Sequence, residues 1–544
     1  MRPVFGDDET ADGARAGNTT PLTLPATVQS NHQEVLNRQR RVILNNDGCD
    51  VLYVPEDEEI TPETILERRT SPLPGTHVDS VFYCTIGSGF GYFTHDTEVG
   101  HVLERQPPDY FPEHEGKINA TCALIDQGTD ILEVMTTFCR NHDIEIFWSM
   151  RMNDVHDASH RPDDPHMLFS PIKENHPEYL MGTYDAQPPF GQWSAVDYTH
   201  QEVRDFAFRF IQEVCEGYDV DGVELDFFRH LHYFKTVSEG GSATREELDM
   251  MTNLVRRVRE MAVERACERG RPILLAVRVP DDVEYCRRMG FDIERWLAED
   301  LVDIVIGSGY FRLNHLDRLV ELGHRYGAKV YPAFSESRLD DVPGAPADRN
   351  DPRSYRGRAC QAWTSGADGV YLFNFFDPTA SLLDEIGEPH DLADCEKAYF
   401  VTVRNNTATR GYSHPARWLA DGDEHVSVPI LSPEQPLTVD PSNPASLELC
   451  IGGDCAGFGS FPVEAAVTCY FHGSDTRETL SVTVNGVAQN MDAYEEGWTQ
   501  LPLSPSILRQ GANRFRFTAE EPVEISDLIV TVSPNEVVAS APSD

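Results

Sequence analysis

Eight short apolar runs, each five to nine residues long, recur along the first four hundred residues of the chain. They are rich in Val, Ile and aromatic residues, which is typical of parallel strands buried on both faces. We therefore predict strands at Arg41–Asn46, Val78–Ile86, Ile144–Met150, Val220–Phe227, Ile273–Val279, Val302–Ile306, Lys329–Phe334 and Gly369–Phe375.

Stretches with helical spacing separate these runs. In Val203–Val214 the apolar residues follow i, i+3, i+4 spacing, which indicates one buried helical face. Strands that alternate with helices predict an α/β fold, a (β/α)8 TIM barrel. An open doubly wound sheet is the alternative, although no glycine-rich phosphate motif follows the first strand. Further helices are predicted at Asp130–Asn141, Arg245–Arg269, Leu316–Tyr326 and Arg353–Ser365.

The pattern changes near residue 425, where short alternating runs separated by turns replace the helices. This alternation predicts an antiparallel β-sandwich domain. Its strands are expected at Ser446–Cys450, Val463–Phe471, Thr479–Val484, Asn513–Thr518 and Val523–Val532. The expected organisation is a disordered segment over 1–35, a barrel domain over 36–420, the sandwich over 425–535 and a loose tail over 536–544.

Charge excludes two classes of function. The chain has 544 residues, of which 45 are Lys or Arg and 90 are Asp or Glu, so its formal net charge is −45. Such a surface repels nucleic acid and anionic membranes. No apolar run approaches the ~20 residues that a membrane span needs.

The N-terminus lacks the features of a signal peptide, which predicts a cytoplasmic protein as written, while a secreted or periplasmic enzyme stays the alternative. Nothing in the sequence indicates an oligomeric state.

Cysteine and histidine give little sign of a metal or cofactor. Most of the twelve Cys, Cys360 among them, lie in apolar runs and are expected to be free buried thiols. Cys450 and Cys455 flank four residues and are candidates for a small disulfide loop. No paired CxxC and no HExxH motif occurs, so we predict neither a catalytic metal nor a cofactor.

The fourth predicted strand carries the richest chemistry. Side chains alternate along a strand, so Glu224 and Asp226 share one face while their neighbours Val223 and Leu225 take the other. The outer face of a barrel strand is apolar, so the two acids are expected inside, near the carboxyl end where barrel enzymes hold their catalytic groups. Adjacent carboxyl groups raise one another's pKa, which suits a general acid. The alternative is a structural ion-pair network with Arg278 or Arg151.

Other strand ends supply a second acid and polar groups for a sugar. Hydrolysis of a glycosidic bond usually takes two carboxylates, and Glu336, after the seventh strand, is our candidate partner. Asp281 is an alternative for that role, and a solvated loop is the alternative for Glu336. Polar and aromatic side chains suit a polyhydroxylated substrate. The expected sugar-binding residues are Arg151, Asn153, Asp154, Trp193, Arg229, His230, Arg278, Asp281, Tyr310 and Asn374.

Three segments together resemble the family-10-like putative glycosyl hydrolases, a group of bacterial barrels. They are Phe147–Asp157, Asp197–His200 and Asp221–Arg229, and the resemblance covers roughly residues 36–400. It implies carbohydrate hydrolysis without naming the sugar. The C-terminal sandwich is similar to the accessory jelly-roll domains of glycoside hydrolases, whose role is sugar binding or packing against the barrel.

The fourth strand also looks like the DGxDxDxE signature of chitinase-like barrels. Asp221, Gly222, Glu224 and Asp226 match its first four marked positions, but Phe228 replaces the final catalytic Glu. This departure argues against a substrate-assisted mechanism of the chitinase kind. It leaves Asp226, supported by Glu224, as the chemically active group.

Together these observations predict a glycoside hydrolase that acts on the O-glycosyl bonds of a poly- or oligosaccharide. Asp226, Glu224 and Glu336 are the predicted catalytic residues, and a carbohydrate is the only predicted partner. One carboxyl group would protonate the leaving oxygen, and another would attack the anomeric carbon or activate water. The alternatives are a non-catalytic carbohydrate-binding barrel, which Phe228 favours, and a metal-dependent lyase or isomerase.

Overall fold

The structure is a computed structural model of the 544-residue chain. It describes residues 26–85, 90–309, 311–337, 339–401, 415–428, 431, 433, 435–453, 465–473 and 479–534. The predicted segment 1–25, the tail 536–544, Tyr310 and Cys455 lie outside these residues.

Eight parallel strands close into a barrel in the order β1-β8-β7-β6-β5-β4-β3-β2. Each coincides with one of the predicted apolar runs, and helices cover the barrel from outside, so the predicted TIM barrel is confirmed. The strands are β1 (Val42–Asn46), β2 (Val78–Tyr83), β3 (Glu145–Arg151), β4 (Gly222–Asp226), β5 (Leu274–Pro280), β6 (Ile304–Ser308), β7 (Lys329–Phe334) and β8 (Val370–Phe373).

Aromatic side chains fill the middle of the barrel and fix which way β4 faces. Phe82 and Phe147 stack there with ring centroids 4.3 Å apart, and Tyr371 meets Phe82 edge-on at 5.7 Å. A Cβ atom at Gly222 would lie 2.2 Å from the Phe147 ring, so only glycine fits beside that ring. Since Gly222 points inward, residues two and four positions later on β4 point inward as well.

Twelve α-helices lie among the described residues. The longest, α8, begins with a capping box between Thr244 and Glu247 and ends at Gly270 with φ +72°, a left-handed conformation that glycine adopts at no steric cost. No helix in the described part of the chain is long and apolar enough to cross a membrane. The helices are α1 (Ala26–Leu36), α2 (Pro62–Arg69), α3 (Thr121–Asp126), α4 (Ile131–Asn141), α5 (Pro171–Asn175), α6 (Gln201–Gly217), α7 (Lys235–Ser238), α8 (Arg245–Arg269), α9 (Val283–Met289), α10 (Ile293–Ala298), α11 (Leu316–Arg325) and α12 (Pro352–Thr364).

Helix α1 corrects the expectation that residues up to 35 are disordered. His32 on α1 is buried and lies 2.9 Å from Asp303, which also pairs with Arg259 at 2.8 Å. Arg40, just after the helix, donates to the carbonyl oxygens of Val35 and Leu36, which have no partner within α1. The sequence of α1 has no strong apolar stripe. These polar contacts with distant segments therefore fix the helix in place.

The C-terminal strands form two antiparallel sheets, so the predicted sandwich is confirmed. One sheet has the order β9-β16-β12-β14 with β10 also on β16, and the other has the order β11-β15-β13. Two-residue strands, Asp492–Ala493 and Val487–Ala488, extend them. The strands are β9 (Lys397–Phe400), β10 (Leu437–Val439), β11 (Ala445–Ile451), β12 (Ala466–Gly473), β13 (Leu480–Val484), β14 (Trp498–Leu503), β15 (Gly511–Ala519) and β16 (Val523–Ser533).

Strand β9 differs from the prediction, because it lies in the stretch assigned to the barrel but pairs with β16 of the sandwich. A buried ion pair between Arg349, which precedes α12, and Asp527 on β16 joins the same two parts. Trp498 also donates its ring N–H to the carbonyl oxygen of Pro343 at 3.0 Å. The sandwich therefore packs on the barrel through hydrogen bonds, charge and a shared strand.

The cysteine expectations are wrong in two places. Cys360, expected to be a free thiol, is disulfide-bonded. Cys450, a candidate for a small disulfide loop with Cys455, is free. Its sulfur lies 3.5 Å from Nδ1 of His315. Spacing along the sequence could not show this, because α12 brings Cys360 against the sandwich only in the folded chain.

Replacement of Glu145 by Ala is expected to destabilise the barrel strongly. Glu145 begins β3, is 3% exposed and pairs with Arg40, whose side chain is fully buried. Removing the carboxylate leaves a buried unpaired guanidinium, which costs about 3–5 kcal/mol of unfolding free energy. Urea denaturation measures this loss. Glu321→Ala, which breaks the exposed pair with Arg325 on α11, is the matched control, and it is expected to lose less than about 1 kcal/mol. Equal losses in the two variants would contradict this account.

Candidate active site

Glu224 and Asp226 lie inside the barrel, on the inward face of β4. Glu224 is fully buried and Asp226 is 1% exposed. Oε2 of Glu224 accepts hydrogen bonds from the hydroxyl groups of Ser149 and Tyr371, the latter at 3.2 Å. Ser149 lies on β3, next to β4, and Tyr371 lies on β8, on the opposite side of the barrel. The other oxygen, Oε1, is buried and has no hydrogen-bond partner among the described residues.

Asp226 ends β4 and receives three donors. Nη1 of Arg278 on β5 donates to Oδ2 at 3.0 Å. The backbone N–H groups of Phe228 and Arg229 each donate to Oδ1 at 3.0 Å. All three interactions stabilise the charged form of the carboxyl group.

Arg278 is held from several sides. Its Nε donates to the hydroxyl group of Ser308 at 3.0 Å. Its guanidinium carbon lies 3.7 Å from the ring centroid of Phe373 and 5.2 Å from that of Phe228. Phe228, which occupies the position of the missing Glu in the chitinase-like signature, therefore covers the cation that pairs with Asp226 and supplies no carboxylate.

Burial and the adjacent charge make Glu224 an unusual acid. Burial first, and then the negative charge of Asp226, raise the pKa of Glu224 to about 8, while Arg278 and the two hydroxyl donors oppose this rise. At neutral pH Glu224 therefore keeps its proton. A protonated buried acid next to a second carboxyl group is the arrangement that proton transfer to a leaving group requires.

A second polar network follows β3. Arg151 donates to Oδ2 of Asp154 at 3.2 Å, and Nδ1 of His156 donates to Oδ1 at 2.6 Å. Arg229 donates to Nε2 of His156 at 2.6 Å, which requires the imidazole proton to be on Nδ1. Nδ1 of His230 accepts from the backbone N–H of Val155 at 3.2 Å. The network thus links the ends of β3 and β4.

Three members of this network have the chemistry of metal ligands. Asp154, His156 and His230 each offer one ligand atom, all within 4.8 Å of one another. Burial lowers the pKa of His156 and that of His230, which favours the neutral, ligating form. However, Arg151 and Arg229 contact the same groups, and their positive charges oppose the binding of a cation. The set fits an arginine-anchored hydrogen-bond network better than a metal centre.

The first strand adds residues that the sequence analysis missed. Asp47, after β1, accepts from Arg69 at 2.7 Å. Although burial acts to raise it, the positive charges of Arg69 and Arg151 hold the pKa of Asp47 below its ordinary value. Asp50 accepts from the hydroxyl group of Tyr83 at 2.6 Å. Asp47 directly follows the first predicted strand, so its position at a strand end could have identified it, but Arg69 lies on α2 and no strand-end rule points to it.

Two of the predicted sugar-binding side chains form hydrogen bonds with backbone groups of the protein itself. The amide group of Asn153 is fully buried and bonds to the backbone of Val196 and His232. Trp193 is 3% exposed and donates its ring N–H to the carbonyl oxygen of Ala158 at 2.8 Å. Both residues shape the loop after β3, and neither presents a surface to a ligand.

The other predicted residues lie at strand ends with different surroundings. Glu336 is exposed after β7. Asp281 accepts twice from Asn314, at 2.6 and 3.0 Å, and burial raises its pKa to about 7. Asn374, after β8, has φ +53°, and its Oδ1 is buried with no hydrogen-bond partner among the described residues. A strained non-glycine residue with an unpaired polar atom at a barrel mouth is a feature of functional sites.

Comparisons with known proteins give matches to solved structures alone. No family model and no curated protein matches the chain. The chain is similar to α-L-fucosidase isoenzyme 2 from Paenibacillus thiaminolyticus, with 12% identity, a TM-score of 0.39, and coverage of 64% of this chain and 48% of that one. The PgaB (BpsB) glycoside hydrolase domain from Bordetella bronchiseptica matches with 11% identity, a TM-score of 0.41, and coverage of 64% and 98%.

A glycoside hydrolase family 18 N-acetylglucosaminidase from Paenibacillus barengoltzii matches with 15% identity, a TM-score of 0.35, and coverage of 64% and 99%. The chain spans about half the length of the fucosidase, 48%, and 57% of a Paenibacillus cycloisomaltooligosaccharide glucanotransferase. Similarities this distant leave the function to be argued from the residues of the site.

Replacement of Glu224 by Gln is expected to change how stability depends on pH. The unfolded chain ionises Glu224 near pH 4.5, but the folded protein keeps its proton to about pH 8. Between these values the folded state binds the extra proton, so this group lowers the free energy of unfolding of the native protein as pH rises, by about 1 kcal/mol per unit. Gln cannot ionise, so the variant gains stability over the native protein with rising pH.

Urea denaturation at several pH values from 5 to about 9 measures this difference, which is expected to level off above about pH 8. Glu336→Gln, at an exposed carboxyl group, is the control. A stability difference between Glu224→Gln and the native protein that stays constant with pH would contradict the assignment of the proton to Glu224.

Proposed function

We propose that this protein is a glycoside hydrolase whose barrel holds the proton for the leaving group on the pair of Glu224 and Asp226. One observation carries the proposal: two buried carboxyl groups lie on the inward face of β4, at the carboxyl end of a barrel strand, where burial and the charge of Asp226 raise the pKa of Glu224 to about 8. Asp226, at the strand end, is the group that meets the substrate. Glu224, one pleat deeper, supplies the proton that the pair holds.

The proposal assigns different tasks to the surrounding charges. Arg278 fixes the Asp226 carboxyl group through the ion pair at 3.0 Å. Glu336, exposed after β7, is the proposed second carboxylate, which attacks the anomeric carbon or activates water. Arg151 and Asn374 are the proposed sugar contacts. The resemblance to the family-10-like putative glycosyl hydrolases agrees with this reaction and leaves the sugar open.

A non-catalytic carbohydrate-binding barrel is the second candidate. Two observations favour it: Phe228 stands where the chitinase-like signature has its acid, and both Glu224 and Asp226 are almost completely buried. The same ion pair would then stabilise a cleft that binds sugar without cleaving it. Binding of a glycan without any new reducing ends would support this candidate.

Replacement of Asp226 by Asn is expected to lower kcat about 10²–10⁴-fold on a natural glycan, because proton transfer contributes about that much to the rate. The measurement is the release of reducing ends from a panel of neutral, uronate-containing and sulfated glycans. With an aryl glycoside whose leaving group needs no proton, Asp226→Asn is expected to recover most of its activity. Glu336→Gln is expected to stay inactive on both substrates, which separates the two roles. Full turnover of a glycan by Asp226→Asn would sink the proposal.

The activity of the native protein is expected to fall above about pH 8, where the pair loses its proton. The pH profile of kcat on an unactivated glycan measures this limb. Glu224→Gln is expected to lose most of the activity at every pH, because Gln has no proton to supply, and its residual activity is expected to show no limb near pH 8. A native profile that stays flat through pH 9 would show that the proton on Glu224 takes no part.

A further inference from the structure

A cavity of about 510 Å³ lies between the barrel and the sandwich, apart from the acid pair. Helix α12, the segment after β6 and strands β9, β11 and β15 contribute to its wall. It shares none of the side chains that contact Glu224 or Asp226. The charged and titratable residues of its lining are Arg312, His315, Asp317, Arg358, Tyr399, Glu448 and Cys450.

Arg358 on α12 is the unusual member of this wall. Its Nη1 donates to the carbonyl oxygen of Ser335 at 2.7 Å, and its Nε lies 3.5 Å from the carbonyl oxygen of Ser354. Its Nη2 is buried and has no hydrogen-bond partner in the described part of the chain. Burial lowers the pKa of Arg358, and Tyr355 alone opposes this shift, through its charge and a side-chain hydrogen bond to the guanidinium. No carboxylate of the described residues compensates the charge.

Aromatic rings surround this guanidinium. Its carbon lies 4.3 Å from the ring centroid of Tyr355, 4.7 Å from that of Phe311 and 5.3 Å from that of Phe334. Rings stabilise a buried cation by about 0.5–2 kcal/mol, but they do not accept its N–H hydrogens as an oxygen does. The rings therefore hold Arg358 in place and leave its Nη2 without an acceptor.

Two hydroxyl groups beside Arg358 also lack partners. Ser335 and Ser354, whose carbonyl oxygens face the guanidinium, each have a buried Oγ with no hydrogen bond to any described residue. Most buried polar atoms in proteins are hydrogen-bonded, so the unpaired Nη2 of Arg358 and Oγ of Ser354, two residues of the cavity wall, mark a place for an acceptor. The acids of the lining are engaged elsewhere: Oε1 of Glu448 lies 3.6 Å from Nε2 of His315, and Asp317 belongs to the first turn of α11.

We propose that this cavity binds a small organic carboxylate, with its charged group on Arg358 and its apolar body against the aromatic wall. Nη2 offers two hydrogens, and the hydroxyl group of Ser354, which also lines the cavity, offers a third to the oxygens of a carboxylate. A single unpaired guanidinium balances one negative charge. Phe311, Phe334 and Leu449 supply the apolar surface.

Isothermal titration with sodium benzoate, at ionic strength held constant with sodium chloride, tests this site in the full chain. The native protein is expected to bind one benzoate, more tightly than it binds phosphate or sulfate. Arg358→Met is expected to weaken binding about 10- to 100-fold, as the loss of a charged hydrogen bond predicts. Arg356→Met, two residues away and paired with Glu385, is the matched control, with unchanged affinity.

Absence of saturable benzoate binding to the native protein would overturn the proposal and leave the cavity to solvent. Tighter binding of phosphate or sulfate would overturn the carboxylate assignment. If Arg358→Met does not fold, Ser354→Ala keeps the cation and removes the hydroxyl donor of the cavity wall. Benzoate affinity equal to that of the native protein in Ser354→Ala would also overturn the proposed contacts. The readout is binding, so the outcome does not depend on the proposed glycosidase activity.

Discussion

The need to accommodate two acids inside the barrel governs the arrangement at its mouth. One guanidinium, Arg278, meets Asp226, and no second cation reaches Glu224 among the hydrogen bonds and ion pairs of the described residues. Glu224 therefore keeps its proton. A second cation there would make two ordinary buried ion pairs, which stabilise structure and hold no proton for transfer. The aromatic rings of Phe228 and Phe373 cover Arg278 and so enclose the same ion pair.

The fold could be predicted because its signals are local. Each barrel strand is a short apolar run, and the alternation along β4 places Glu224 and Asp226 on one face before any contact is known. The features that could not be predicted depend on distant segments. Strand β9 follows the barrel in sequence but finds its partner in β16, and helix α1 is held by Asp303, far along the chain.

The candidate site residues on strands could be predicted better than those on loops. The alternation of side chains along a strand identifies Arg278, which does contact Asp226, but it gives no information about side chains on loops. Asn153 and Trp193 have the chemistry of sugar contacts, yet their polar atoms bind backbone groups that would otherwise be buried without partners. Polar composition at a strand end thus predicts hydrogen bonding, and only the folded chain shows whether the partner is a ligand or the protein.

Several buried ion pairs of the structure use arginine as the cation. Each of Arg40, Arg259 and Arg349 pairs with a carboxylate that compensates its positive charge. Arg358 has no such partner, and for that reason we assign a ligand to it.

The account rests most directly on the protonation of Glu224. Infrared difference spectra of the native protein against Glu224→Gln isolate this carboxyl group from the other acids. A protonated carboxyl band at pH 6 that disappears near pH 8 is expected. An ionised Glu224 already at pH 6 would contradict the account.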